Sequence, residues 1–418
     1  MFLNDYNDLD HERVLRDLIK LEKGYKGYGK DEISMEAAEL IKRDLKCDCD
    51  IHFVPGGTIA NVLVINAALR PYEAVIAPVT GHIEGHEAGS IEALGNKILT
   101  METEDGKINP EALKEFAEKF TEDYQVRPKA VYISNTTELG TYYDSKELKE
   151  IYKVCREKKL YLYIDGARMA VAMAKAQIKP YEMKDLCDIF TFGGTKNGAL
   201  YGEAVVIFNE DLKENFRLIM KQRGAMQAKG FILGSQFKTL FQDGLYYELG
   251  KKALKMAEYM VEGLKESGVK FNEPPLTNQI FIELPKNVAE ELVSKFAFEV
   301  QEDLKDKKII RLVTNYRTTI EEIDEFIEEI KKYNLASESD EGNFIPLYYE
   351  YDKIRTASIS AALEKAGIPY RLTTEGSPNV LGIYAGEGRG NFYPATFFVE
   401  EERYDEASVI LSQLFERA

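Results

Sequence analysis

Four short stretches of the chain hold residues whose type and spacing suit chemistry. In LYLYIDGAR, residues 160–168, an apolar strand delivers Asp165 at its C-terminal end, with Gly166 and Arg168 just beyond. Ligands of open α/β sheets bind at the carboxyl ends of the strands. An acid there can pair with a cationic ring nitrogen, and a nearby arginine can grip a carboxylate or phosphate. The same aspartate would also serve as a plain cap for the next helix. In DIFTFGGTKNGALYGEAVVIF, 188–208, a strand ends in Gly193-Gly194-Thr195, and Lys196 and Asn197-Gly198 follow. A lysine set between glycines has little to pack against. It is well placed to form a Schiff base with an aldehyde cofactor if its pKa is lowered, although a lone loop lysine is usually just solvated. In HFVPGGTIANVLVINAAL, 52–69, a strand runs into Pro55-Gly56-Gly57-Thr58 and a helix begins near Ile59. Glycines and a hydroxyl at a helix N-terminus form a phosphate cradle, and a plain tight turn would read the same. It is neither a Walker motif nor GxGxxG. In GHIEGHEAGS, 81–90, His82 and His86 stand four apart with Glu87 after them. HExxH is absent and the glycines oppose a regular helix, so no metal is expected. A histidine stacked on a planar cofactor is the better reading.

The elements that must position these residues are legible in the apolar pattern. The first fifty residues read as helices, HERVLRDLIKLEKG and SMEAAELIKRDL, with apolar residues three and four apart and the glycine-broken YKGYGKDE between them. From about residue 51, short runs such as AVIAPV, AVYISN, LYLYID, DIFTFG and AVVIF alternate with helical stretches. That alternation predicts an α/β fold with a mostly parallel sheet, its strands apolar throughout because both faces are covered. Residues 236–335 read as a smaller α/β layer, with an acidic helix whose charged face is solvated. ASESDEGN, 336–343, has linker chemistry. Residues 344–418 read as β-α-β-β-β-α, an α+β domain in which Asp352 caps a helix and Gly367 stops it. The expected divisions are therefore 1–50, 51–235, 236–335, 336–343 and 344–418.

Composition narrows the function. Of 418 residues, 54 are Lys or Arg and 71 are Asp or Glu, a net charge of −17 that opposes nucleic-acid and anionic-membrane binding. Four cysteines suit a reduced cytoplasm better than a disulfide scaffold. The opening MFLNDYNDLDHERV has no signal-peptide character, and no apolar run is long enough to span a membrane. Cys47-Asp48-Cys49 with His52 reads as buried thiols rather than a metal site. Gly386-Glu387-Gly388-Arg389-Gly390 reads as a hairpin tip.

The order of phosphate cradle, stacking histidine, strand-end Asp with Arg, and lysine after the next strand resembles the threonine aldolase / aromatic amino acid β-eliminating lyase family. These are pyridoxal-phosphate enzymes of fold type I. The likeness spans about residues 1–335 and includes LNDY, GYGKDE, PGGTIAN, GHIEGHEAGS, SNTTELGTYY, YIDGAR, FGGTKNGA, RGAMQAKG, TNQIF and IIRLVT. It implies that Lys196 links pyridoxal 5'-phosphate, Asp165 pairs with its ring nitrogen, His82 stacks on the ring, and Gly57 and Thr58 bind phosphate. It also implies that Arg168 and Arg311, with Asn4 and Tyr28, hold the substrate. Lys229, or failing it Arg223, would reach the phosphate of a neighbouring subunit in a homodimer or homotetramer. The family's catalytic-loop histidine is absent from Ser134–Gly140, so Glu138, Glu87 or His86 would be the base near the substrate's β-carbon. The expected reaction is retro-aldol cleavage of a β-hydroxy-α-amino acid, threonine-like, to glycine and an aldehyde. Other activities on the same scaffold are β-elimination, transamination, or a silent, cofactor-holding regulatory role. The C-terminal stretch resembles small ferredoxin-like signal-transducing modules, implying a regulatory or assembly role.

Overall fold

The apolar runs become the strands of one central sheet. They are β1 (Asp50–Val54), β2 (Glu73–Pro78), β3 (Lys97–Met101), β4 (Arg127–Ser134), β5 (Tyr161–Asp165), β6 (Ile189–Gly193) and β7 (Glu203–Ile207). Their spatial order is β1-β7-β6-β5-β4-β2-β3. Only β7 runs against its neighbours, pairing antiparallel with both β1 and β6. The structure is a computed structural model that describes residues 2–22, 24–333, 335, 344–350, 353–374, 395–400 and 403–416. Strand β3 and the helix Pro110–Ala117 carry no distinct signal in the sequence reading above; Asn109 caps that helix, its side chain accepting from Ala112 N–H.

Side-chain parity sorts the two faces of the sheet. Val131, Ile133, Leu162 and Ile164 join one core with the helices Glu32–Leu45, Ser145–Lys158 and Phe231–Gln242. Tyr132 and Tyr163 face the opposite core, which contains the helix Gly57–Ala68. Successive residues of a strand point to opposite faces. Asp165 therefore shares the face of Tyr163, and β4 and β5 are in register with Tyr132 opposite Tyr163 and Ser134 opposite Asp165. Both faces are covered, as strands apolar throughout require.

The smaller layer is an antiparallel sheet of β8 (Lys270–Phe271), β9 (Gln279–Pro285), β10 (Glu299–Asp303) and β11 (Lys307–Val313), in the order β10-β11-β9-β8. Phe2 is buried in its core, and Val313 N–H donates to the Phe2 carbonyl at 2.8 Å. The N-terminus is thus drawn across the end of β11. The acidic helix Ile320–Lys331 turns Ile323, Phe326, Ile327 and Ile330 inward, and its charges remain outside.

The chain divides into two compact units, Met1–Ala336 and Ser337–Ala418. In the second, β14 (Ala395–Glu400) lies between β12 (Phe344–Glu350) and β13 (Tyr370–Thr374), antiparallel to both, with helices Lys353–Lys365 and Tyr404–Glu416. Gly367 has φ +66° just beyond its helix, a left-handed stop suited to glycine. The linker 336–343, the cap Asp352, the third strand of the β-α-β-β-β-α pattern and the hairpin tip 386–390 lie outside the described residues.

Gly250 sits where the helices Leu245–Glu266 and Met169–Ala176 touch backbone to backbone. A Cβ added there would lie 2.5 Å from the Ala170 carbonyl carbon. Since Arg168 is the N-cap of the second helix, this contact bears directly on it. Gly250→Ala should cost about 1–3 kcal/mol of stability through overpacking, read as a lower urea midpoint. An unchanged midpoint would show that the helices part freely.

Candidate active site

The residues around Asp165 gather from strands, loops and helix starts at the C-terminal ends of the parallel strands of the central sheet. Asp165 ends β5 and is buried. Its Oδ2 accepts the Tyr132 hydroxyl at 2.9 Å and Asn61 Nδ2 at 3.1 Å, and its Oδ1 accepts Ala167 N–H at 3.0 Å. Asn61 is the hinge of this network. Its Oδ1 accepts the Tyr163 hydroxyl at 2.7 Å, and its Nδ2 also donates to Glu87 Oε1 at 2.6 Å. Glu87 is buried and in turn holds His82 Nδ1 at 2.9 Å and the Ser90 hydroxyl at 2.9 Å. Both Glu87 oxygens are thus engaged, which makes it the partner of His82 rather than a free base. The hydrogen bond to Glu87 raises the His82 pKa against the opposing effect of burial, and Glu138 and Asp165 add to the rise.

Lys196 follows β6 by three residues. Its pKa is lowered, first because its amine is withdrawn from water and second because the Arg168 charge is near. Asp5, Glu138 and Asp165 oppose that shift. The Arg168 guanidinium is buried and already gripped: Nε donates to Asp5 Oδ2 at 2.6 Å and Nη2 to Asp5 Oδ1 at 3.0 Å. The sequence reading assigns Arg168 to a substrate carboxylate, whereas here the carboxylate on it is the chain's own. Burial works to raise the Asp5 pKa, but Arg168 and Lys196 hold it below the ordinary value.

Arg311 and Asn4 do meet, with Nη2 donating to Asn4 Oδ1 at 3.1 Å and also to Glu299. Arg311 Nε is buried with no partner among the described residues. Consecutive residues Asn4 and Asp5 therefore serve the two arginines, and Asn278 Nδ2 ties Asp5 Oδ2 at 3.2 Å. Gly57 opens the helix Gly57–Ala68 behind the N-cap Gly56, with no side-chain cap. A Cβ at either glycine would meet open space, and Thr58 is exposed beside them. Glu138 is half-buried and its charge reaches Lys196, His82 and Arg168. His86 is exposed, its ring 5.5 Å from that of His82.

Three residues stand apart. Tyr28 lies by Ala228 and Arg217, under the Lys221 ammonium at 4.8 Å, and no hydrogen bond among the described residues joins it to Lys196, Asp165 or Arg168. Arg223 donates to Asn66 at 3.0 Å, and Lys229 is exposed. Asp5, Asn61, Tyr132 and Glu203 are participants that the sequence reading passed over. For Asn61, Tyr132 and Glu203 the signal was present, a polar residue in an apolar run, in TIANVLVIN, AVYIS and GEAVVIF.

All four cysteines are free; Cys49, Cys155 and Cys187 are buried and Cys47 is half-buried. Among the described residues no group of three or more His, Cys, Asp or Glu side chains is arranged to hold a metal ion.

The raised His82 pKa contributes stability that is present below about 6.5 and lost as pH rises through the shifted value. Glu87→Gln removes the main cause. The His82 titration midpoint, followed by deuterium exchange at the imidazole C2, should fall. A midpoint unmoved by the substitution would dissociate Glu87 from His82.

The sequence profile of the Beta-eliminating lyase family matches residues 11–287. A low specificity L-threonine aldolase of Pseudomonas aeruginosa is 34% identical over 272 residues, 64% of this chain and 79% of that protein. A solved structure titled as a threonine aldolase of Leishmania major is 40% identical, with a TM-score of 0.78 over 80% of this chain and 99% of that one. An aspartate aminotransferase of Thermus thermophilus, 16% identical with a TM-score of 0.60 over 78% of this chain and 89% of that one, shares the fold alone. With two thirds of its length matched by the family profile, and the strand-end acid and loop lysine meeting at one sheet edge, the chain belongs to the β-eliminating lyase family.

Proposed function

We propose that this chain is a pyridoxal-phosphate-dependent carbon–carbon lyase that cleaves a threonine-like β-hydroxy-α-amino acid to glycine and an aldehyde. The single observation that carries the reading is Lys196. It is a lysine whose amine is withdrawn from water and whose pKa is lowered, at the sheet edge that also holds Asp165. The surrounding donors fit the cofactor. A helix N-terminus with room at Gly56 and Gly57 suits a phosphate, and a buried carboxyl fixed by three donors suits a ring N–H. When bound, pyridoxal 5'-phosphate supplies an aldehyde for an amine and an electron-withdrawing ring.

The chain's own residues do the rest. Lys196, whose pKa its surroundings lower, would hold the cofactor's aldehyde group. Asp165, fixed by Tyr132 and Asn61, orients the ring through its nitrogen. His82, braced by Glu87, covers one ring face. Arg311 presents its unpaired Nε to the substrate carboxylate with Asn4 beside it, and Arg168 holds the same side from its pairing with Asp5. Such gripping would fix the orientation of the substrate's Cα–Cβ bond, the bond to be broken. Glu138 takes the β-hydroxyl proton: Glu87 is committed to His82, and His86 lies in solvent.

The fine assembly is part of the same reading. Lys229, or Arg223, completes a neighbour's phosphate site in a homodimer or homotetramer. No described helix is long and apolar enough to cross a membrane, and four free thiols suit the cytoplasm. Residues 344–418 form an accessory ferredoxin-like domain with a regulatory or assembly role.

Borohydride reduction followed by peptide mapping should place the pyridoxyl label on Lys196, and Lys196→Ala should lose both label and turnover. Label on another lysine would overturn the assignment. With threonine as substrate the products should be glycine and acetaldehyde; ammonia and a keto acid would mean β-elimination, and no turnover of any amino acid a silent protein. Glu138→Gln should keep the cofactor and lower kcat about 100-fold, the usual weight of a general base. Undiminished kcat would remove Glu138 from the reaction.

A further inference from the structure

Glu203 opens β7, a strand otherwise made of buried Ala204, Val205, Val206 and Ile207. Because β7 alone is reversed, its first residue lies at the edge where the parallel strands end. Register places Glu203 opposite Gly193 on one side and Val54 on the other. The side chain is buried, and no lysine or arginine forms an ion pair with it among the described residues. An unpaired buried carboxyl costs stability unless its hydrogen bonds are met. Its partners all belong to one turn. Oε2 accepts Gly194 N–H at 3.2 Å and Oε1 accepts the Thr195 hydroxyl at 3.1 Å, while Thr195 Oγ1 accepts Gly202 N–H at 3.0 Å. On the far side of the lysine, Asn197 Nδ2 is tied to the Tyr246 carbonyl at 2.8 Å. The backbone on both sides of Lys196 is therefore anchored, and Glu203 is the anchor on its N-terminal side.

We propose that Glu203 is a positioning residue that controls Lys196, through the turn it clamps and through the proton it holds. The inference rests on the reading of Lys196 as the cofactor lysine. Burial, and then the charge of Asp165, push the Glu203 carboxyl up to about 8, with Thr195, Lys196 and Gly194 N–H opposing. The groups facing it are Asp165 and Tyr163 from β5, Thr195 and Lys196 from the turn after β6, and Tyr246 from the helix Leu245–Glu266. Below about 8 the neutral acid holds the turn without setting a second negative charge beside Asp165. Above that pH the carboxylate attracts a proton to Lys196. The stability linkage has the same sense: the contribution of Glu203 is whole below its ordinary value of 4.5 and is lost as pH rises through about 8.

Two variants separate clamp from charge. Glu203→Gln keeps an acceptor for Gly194 N–H and removes the ionisation; Glu203→Ala removes both. The full chain, cleared of bound carbonyl compounds with hydroxylamine, is acetylated with trace acetic anhydride across the alkaline range, and Lys196 is read by peptide mass. The wild-type reactivity curve should inflect near 8. In Glu203→Gln the inflection should vanish and Lys196 should react up to about tenfold faster on the alkaline side, the effect of removing one nearby opposite charge. Glu203→Ala should also weaken pyridoxal 5'-phosphate binding about tenfold, an effect that Glu203→Gln should not show. A Glu203→Gln curve superimposable on the wild type would overturn the proposal, and the Gln variant decides it even if the Ala variant does not fold. A wild-type chain that fails to take up the cofactor would instead refute the reading of the site, and the acetylation curves would still decide the role of Glu203.

Discussion

Charges taken out of water at one edge of one sheet govern this molecule. An isolated buried ion is costly, so each must find a partner or change its protonation. Asp165 is met by a tyrosine, an asparagine and a backbone N–H. Asp5 and Arg168 meet each other in a two-point grip. Glu87 is met by Asn61, His82 and Ser90. Among the described residues neither Lys196 nor Glu203 has such an ion partner, and each is shifted toward its neutral form. A lowered lysine pKa and a carboxyl pushed up to about 8 are the physical outcome of that shortage. The chemistry proposed for the chain depends on it.

The two layers of the first unit are joined by the same demand. The N-terminal residues cross the smaller layer with Phe2 in its core, and the next turn of chain delivers Asn4 to Arg311 and Asp5 to Arg168. Arg311 comes from β11 of the small sheet and Arg168 from the end of β5 in the large one. The first five residues thus link two sheets and two guanidinium groups. Nothing in the short run LNDY announces that link.

Much of this was legible before any coordinates. The apolar runs marked β2, β4, β5, β6 and β7, because strands covered on both faces need no polar alternation. Asp165, Lys196 and the Gly56–Thr58 turn stood out because each follows an apolar strand at the edge where α/β sheets bind ligands. Short β8 and β10 were missed, since two to five half-exposed residues carry little periodicity. Tyr28 was placed with the substrate by resemblance, and in the fold its N–H donates to the Ala228 carbonyl at 3.2 Å.

Local sequence alone therefore determined the longer buried strands, the α/β class and the residue types that could hold a cofactor, because strand ends, glycine turns and helix starts are short-range features. Partnership was decided only by the tertiary structure. Asn61 reaches Asp165 across 104 positions, Arg168 reaches Asp5 across 163, and Arg311 reaches Asn4 across 307. Strand parity and the single reversal at β7 settle which side chains face each other, and neither is written in any one segment. Glu87 shows the difference most plainly. In sequence it is an acid beside two histidines, free to act as a base, and in the fold both of its oxygens are occupied. Those partners are neighbours that only the folded chain brings near.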